Sequence, residues 1–574
     1  MGNDFVSSSE ALLLMLKEYS ISHVFGLPGE TTLPLYDAWL DFKDVEHVRV
    51  RDERNAVIAA DGYARVTFKP GVVEAPGVGA SYLLPGLAEA YRSRIPIIVF
   101  VSDITEDDEY KNVLTEYRKD LMFKDVTKDV LIVHSAEMIP RVIRRAFRLA
   151  TAGIPGPVYV RIPYNAWEGK VSREVIYAQR EFAKYPALRF EADDESVSRA
   201  LELLLKADRP VIICGQGVLL SQGWDEVLQL AEALSIPVGT TITGKGCFPE
   251  THVLSIGVVG KRGGTRFSNS IVNEADLIFF IGTNTDSANT ADWSVPPITD
   301  KDKVVIHLDV DEATLGNVYR TSVFLLGDAK ATIRKMLRAL GNAKKYRNEY
   351  ISRLKKLRDE WDSYVESLID ETAIPVNPLL FIKKLEKLTQ SGDYVFTADP
   401  GIGAIYTSAF YRISRAGRTF MYNYSLGGLG FALPMALGAH LGSRKVTIAL
   451  TTDGNLAFNM GELETLKTLN AYIKVIVFNN LSYGWIRATM LSRYGPRFFH
   501  TDFSSVDFVK IAEAHGIKAD RVDKPSELEE RLKMALTYEG PYLLEIPALP
   551  EDKLMPPVPE WRNAAEKYDI PYLG

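Results

Sequence analysis

The sequence predicts an α/β protein built from three doubly wound parallel-sheet domains. Three observations carry this. Short β-branched apolar runs recur along most of the chain, and stretches of helical periodicity separate them. The runs are apolar on both faces, as strands covered by helices on either side must be. Composition shifts at two places divide the chain into pieces of ordinary domain size.

In chain order the first runs are PIIVFVS (96–102) and PVYVRI (157–162). A charged stretch around residues 171–196 follows and marks the first joint. RPVIICG (209–215), ADLIFFIG (275–282) and KVVIHLD (303–309) form the middle group. The second joint is the Lys/Arg-rich KKYRNEYISRLKKLRDEW near 344–361, read as a helix with a solvated face. KVTIALTTD (445–453), IKVIVFNN (473–480) and PYLLEI (541–546) close the series. The expected divisions are 1–180, 190–342 and 370–550, with a tail at 551–574.

Composition limits the functions available. The chain has 574 residues, 46% of them hydrophobic and 25% charged, enough for a large core. A net charge of −7 with both signs interspersed gives no basic stripe, so no nucleic-acid partner is expected. The start, MGNDFVSSSEALLLMLKEY, lacks the basic-then-apolar order of a secretory signal, and no run is long enough to span a membrane. The expectation is a cytoplasmic protein. Cys214 and Cys247, the two cysteines, have no metal spacing and suit a reducing compartment; with 8 histidines in the chain, no structural zinc site is expected.

Two short stretches carry chemistry: LTTDGN (450–455) and FNNLSYG (478–484). An apolar run ending in Asp-Gly is usually a turn, but here a second run ends in Asn-Asn one crossover later. In a parallel sheet the carboxyl ends of neighbouring strands meet at one rim, where ligands bind. Asp453 and Asn480 would converge there as a carboxylate and an amide oxygen. Such a hard-oxygen pair suits magnesium, which keeps few protein ligands and takes phosphate oxygens besides. Gly454 lets a phosphate approach the backbone closely. The pair describes a magnesium–diphosphate site.

These residues resemble the thiamine diphosphate enzymes of the acetolactate synthase, pyruvate oxidase and pyruvate decarboxylase group. The family motif is Gly-Asp-Gly followed by Asn-Asn; here Thr452 stands for the first glycine. HVFGLPGETTLPLYDA, RDERNAVIAADGYAR, SRIPIIVFVSD, RPVIICGQGV, DAKATI and SLGGLGFALPMALGA fall in family order, so the resemblance spans nearly the whole chain. It implies pyrimidine-binding, central and diphosphate-binding domains, with Asp453, Asn480 and the Ser482 carbonyl holding magnesium. It also implies cofactor contacts at Pro28, Gly29, Gly79, Gly401, Gly403, Gly427, Leu429, Gly454, Asn455, Tyr483 and Gly484. Leu429 matches the bulky residue that bends the cofactor into a V; many relatives carry Gln-His where Ile402-Gly403 stands.

Glu53 lies ahead of an apolar helix, where a carboxylate is often only a favourable partner of the helix dipole. In the family the matching Glu bonds the aminopyrimidine ring and drives loss of the C2 proton, and a carboxyl in an apolar cleft is suited to share that proton. There it belongs to a different subunit from the metal site, which implies a dimer at least, with a tetramer in keeping.

The reaction is read from departures. Decarboxylases of the group carry adjacent histidines after the strand matching IIVFVSD and a Glu after the Asn-Asn loop; here ITEDDEYKNVLTEYRKDLMF has no His, and Ile486 stands at the late Glu position. Val73 stands where benzoylformate-cleaving relatives place a His. A site poor in proton donors favours an acetolactate synthase-like carboligase acting on a 2-oxo acid. Against a plain synthase, GTNTDSANTADW replaces the FAD-contacting run, Thr489 replaces an acceptor-selecting Trp with Trp485 nearby, and Glu30 replaces a glycine. FAD is therefore left open. Glu30, Glu74 and Glu116 are the polar groups expected near the substrate. Glu30 as a second catalytic residue, relaying a proton, would instead give a non-oxidative decarboxylase or an acyl-CoA lyase. The Pro-rich tail could close as a lid or dock on the surface.

Overall fold

The computed structural model describes residues 4–390 and 392–574. It contains three six-stranded sheets, and every pairing within them is parallel. The α/β, doubly wound expectation holds.

The first sheet runs, edge to edge, Glu46–Arg49, His23–Gly26, Gly71–Pro76, Ile97–Asp103, Val158–Pro163, Val130–Ile132. The third runs Phe420–Tyr422, Tyr394–Ala398, Val446–Thr452, Ile473–Asn479, Tyr542–Pro547, Lys518–Arg521. Ranked by position in the chain, both follow the order 2-1-3-4-6-5. The middle sheet differs: Ser255–Val258, Val238–Thr240, Pro210–Cys214, Leu277–Ile281, Val304–Asp309, Val323–Leu326, or 3-2-1-4-5-6, the order of dinucleotide-binding folds. In the first and third sheets the order reverses between the first and third strands. In parallel sheets such a reversal is where connecting loops diverge and ligands bind beyond the carboxyl ends.

By contacts the chain forms two compact units. The first comprises residues up to Leu188 with Ser425–Arg444 and Asn459–Ala471; the second comprises Arg189–Tyr424, Lys445–Phe458 and Tyr472–Gly574. Residues 425–444 and 459–471, inside the stretch expected as the third domain, thus pack with the first unit. The reason is visible in two helices, Glu53–Thr67 and Ala432–Ser443, which meet backbone to backbone. A Cβ at Gly62 would overlap the Met435 carbonyl, and one at Gly438 would overlap that of Ala59.

The Lys/Arg-rich stretch is the helix Asn348–Ser367, whose fully buried side chains are Leu354 and Trp361, so most of its surface is solvated. The tail forms a small core of its own. Met555, Val558, Trp561, Ala564 and Ala565 pack on Ala488 and Leu491 of the helix Gly484–Tyr494. No helix among the described residues is long and apolar enough to cross a membrane.

Candidate active site

In the first unit, Glu53 opens the helix Glu53–Thr67 behind the N-cap Asp52, whose side chain accepts from the Arg54 N–H. Glu53 is buried, and burial pushes its carboxyl up, with Asp52 and Glu74 adding to the rise. Gly79 makes room for it, since a Cβ there would overlap Glu53 Oε1. Glu462 steadies this helix start by accepting from the Arg51 N–H (2.8 Å) and Asn55 Nδ2 (2.9 Å).

The other expected polar groups differ in setting. Glu74 is 1% exposed and accepts from the Tyr36 hydroxyl (2.5 Å), with His47 Nε2 at 3.0 Å. Glu116 accepts from the N–H groups of Tyr110 and Val113 and so staples its own loop. Glu30 is exposed in the first turn of a short helix, just after Pro28 and Gly29 on the loop that leaves the first strand of the sheet. In the segment after Ile97–Asp103 the buried cation is Lys119, 1% exposed, donating to Asp103 Oδ1 (2.7 Å) and the Thr115 carbonyl (3.0 Å).

Gly427 and half-buried Leu429 lie on a loop clamped at both ends within the same unit. Glu89, completely buried, accepts from the N–H groups of Ser425 (3.2 Å), Leu426 (2.8 Å) and Gly427 (3.3 Å). Asn459 Nδ2 donates to the Gly430 carbonyl.

In the second unit Asp453 and Asn480 stand at the carboxyl ends of the neighbouring parallel strands Val446–Thr452 and Ile473–Asn479. Both are buried. Asp453 Oδ1 accepts from the Gly454 N–H (2.9 Å), while Oδ2 is buried without a hydrogen-bond partner among the described residues. Burial pushes this carboxyl up to about 6, against the N–H groups of Gly454, Leu481 and Ser482, which lower it. Buried Ser482 donates its N–H to Asn480 Oδ1 (3.1 Å). Thr452, the departure from the family motif, serves as N-cap: its Oγ1 accepts from Asn455 N (3.3 Å) and Asn455 Nδ2 (2.7 Å). Asn455 Nδ2 also reaches the Pro400 carbonyl (2.8 Å), tying this loop to that of Gly401 and Gly403. Gly454 faces Phe503 and Tyr483, whose rings meet edge-on at 4.5 Å.

A carboxylate unforeseen from the sequence completes this rim. Glu551, beyond the last strand, is 2% exposed, and its Oε2 lies 3.3 Å from Asn480 Nδ2. Burial pushes it up to about 8, with Asp453 and Asp552 adding. Two buried carboxyls raised by burial, Asp453 with an orphaned oxygen, beside an amide oxygen form a donor set that fits a hard divalent cation. Among the described residues no group of three or more His, Cys, Asp or Glu side chains could hold a metal. A cation held here would draw on a carboxylate, an amide oxygen and backbone oxygens.

Family models of the thiamine pyrophosphate enzymes match in chain order: the N-terminal binding domain at 7–122, the central domain at 197–336 and the C-terminal binding domain at 399–546. A probable acetolactate synthase large subunit of Methanocaldococcus jannaschii is 32% identical over 567 residues, covering 96% of this chain and 94% of that one. The chain belongs to the thiamine pyrophosphate enzyme family. The acetolactate synthase large subunit of Lactococcus lactis is 30% identical over 98% of this chain and 96% of its own. Isozyme 3 of Escherichia coli is 29% identical over 93% and 92%. This thiamine pyrophosphate enzyme keeps a dinucleotide-type middle sheet, yet its Gly215 and Gly217 are explained by packing: a Cβ on Gly215 would overlap the Gly282 carbonyl oxygen, and one on Gly217 would fall 2.6 Å from the Gly282 Cα. Those glycines do not by themselves argue for FAD. Trp485 meets Trp561 of the tail at a tilt (ring centroids 4.4 Å apart) and carries Arg262 over its ring (3.9 Å), while Thr489 donates to the Trp485 carbonyl.

Proposed function

We propose that this enzyme is a magnesium-dependent carboligase of acetolactate synthase type, which decarboxylates a 2-oxo acid and joins the remainder to a second carbonyl compound. One observation carries the choice of reaction. Release of an aldehyde needs a proton donor at the rim of the first sheet, and the buried cation in the histidine-free segment there, Lys119, is committed to Asp103 and Thr115. The names of the full-length relatives support the same reading.

Thiamine diphosphate, when bound, supplies the nucleophilic carbon and the electron sink for decarboxylation. The chain's residues do the rest. Glu53 would exchange a proton with the pyrimidine nitrogen of the bound cofactor, a task to which its raised pKa suits it. Asp453, Asn480 and the Ser482 carbonyl would hold magnesium, and Pro28, Gly29, Gly401, Gly403, Gly454, Asn455, Tyr483 and Gly484 would line the cofactor's surroundings. Leu429 supports the ligand from a loop that Glu89 and Asn459 keep rigid, a positioning device. Glu53 of one subunit serves the diphosphate rim of another, so the working unit is at least a homodimer, and the charge and cysteine content suit the cytoplasm. A second reading, non-oxidative decarboxylation or acyl-CoA cleavage, is favoured by Glu30, an exposed carboxylate available as a proton relay.

Incubation with thiamine diphosphate, magnesium and pyruvate, scored for carbon dioxide, acetaldehyde and acetolactate together, separates the two. Acetolactate with matching carbon dioxide is the expected result. Acetaldehyde alone would transfer the assignment to Glu30 and the second reading.

A further inference from the structure

Glu551 lies outside the stretch matched by the C-terminal family model, which ends at 546, and the cofactor motifs do not include it. It reaches the diphosphate rim from the segment following the last strand, Tyr542–Pro547. That segment is firmly held. Asp552 makes a two-pronged pair with Arg487 (2.9 and 3.1 Å), and the Leu554 carbonyl accepts from the Tyr406 hydroxyl (2.8 Å).

The contact with Asn480 has a chemical direction. A primary amide presents an oxygen that accepts and a nitrogen that donates, similar in shape and opposite in use, so its neighbours decide which way it points. Glu551 Oε2, 3.3 Å from Nδ2, draws the nitrogen side, and the Ser482 N–H, 3.1 Å from Oδ1, fits the same orientation. Backbone shape at two further loops allows this carboxylate in. A Cβ on Gly484 would overlap Glu551 Oε2, and one on Gly401 would fall 3.6 Å from Oε1.

We propose that Glu551 is a positioning residue for the cation site: it fixes the Asn480 amide with Oδ1 turned to the metal, and residue 484 is glycine to admit it. This rests on the reading of Asp453 and Asn480 as magnesium ligands. Partners that orient metal ligands typically alter affinity about 10–100-fold when removed.

The test is calorimetric titration of magnesium into the full-length protein with saturating thiamine diphosphate, alongside the thermal midpoint of each ligand-free variant. Glu551→Leu, similar in size but without an acceptor, is expected to weaken magnesium binding about 10–100-fold. Glu551→Gln retains a carbonyl able to accept from Asn480 and is expected to stay within about threefold of the parent. The Cβ of Gly484→Ala would overlap Glu551 Oε2 and also fall 2.9 Å from Asn480 Nδ2, so it disturbs both partners of the contact. This variant is expected to weaken magnesium binding as Glu551→Leu does, and unchanged affinity in it counts against the proposal if Glu551→Leu does not fold. Unchanged magnesium affinity with a lowered thermal midpoint would overturn the proposal and leave Glu551 a packing residue. Asp453→Ala separates the two claims: if it loses magnesium while Glu551→Leu and Gly484→Ala do not, the role of Glu551 alone fails. If Asp453→Ala binds magnesium as the parent does, the cation reading is at fault and the proposal falls with it.

Discussion

Glu53→Gln is expected to lower kcat by about 10²–10⁴-fold, the usual contribution of a positioned acid–base group, while thiamine diphosphate binding persists. Glutamine keeps the size and position of the side chain. The helix start stays anchored through Glu462 to Arg51 and Asn55, and Gly79 leaves the same room. What is lost is a proton that a buried carboxyl of raised pKa can give and take. Turnover measured beside cofactor affinity checks this, and a retained rate would remove Glu53 from the mechanism.

Asp453→Ala should act on binding. With its orphaned Oδ2 gone, a bound magnesium would lose its charged protein ligand, and the loss is expected to be about 3 kcal/mol or more, roughly a hundredfold or more in magnesium-dependent cofactor affinity. The ligand-free protein should melt no lower than the parent. Asp453 and Glu551 are buried carboxyls that each bear a desolvation cost, and removing one relieves the other. A fall in thermal midpoint without a fall in affinity would make Asp453 a structural residue.

The strands covered on both faces were legible because nothing interrupts their apolar runs; Ile97–Asp103, Leu277–Ile281 and Ile473–Asn479 are buried almost throughout. Edge strands were not. Val323–Leu326 alternates buried and exposed residues, and Lys518–Arg521 reads KADR, because one side of each strand lacks a neighbour. Nor did the sequence reveal that 425–444 and 459–471 pack with the first unit, since that depends on two glycines facing a distant helix.

The site divides along similar lines. Asp453, Asn480 and Glu53 stand in local motifs, and their positions follow from strand ends and a helix start. Glu89, Glu462 and Glu551 act through partners far along the chain, mostly backbone N–H groups and amides, which leave no local pattern. The one available signal for Glu89 was a charge within the turn of helix that carries Gly86, Leu87 and Ala90, all buried. For Glu551 it was an acidic pair just past the last strand. Thr452 looked like a motif departure and is a helix cap, a role that needs the coordinates of Asn455 to see.

On the proposed reading, Glu53 of one subunit and the Asp453–Asn480 rim of another form one site. The test is to mix Glu53→Gln and Asp453→Ala proteins, with subunits exchanging, at cofactor and magnesium levels that load the parent site but not the Asp453→Ala site. In a two-fold dimer the hybrid regains one intact site, so random exchange should restore about a quarter of parental activity. A mixture that exchanges subunits yet stays inactive would contradict the claim and return both residues to a site within one chain.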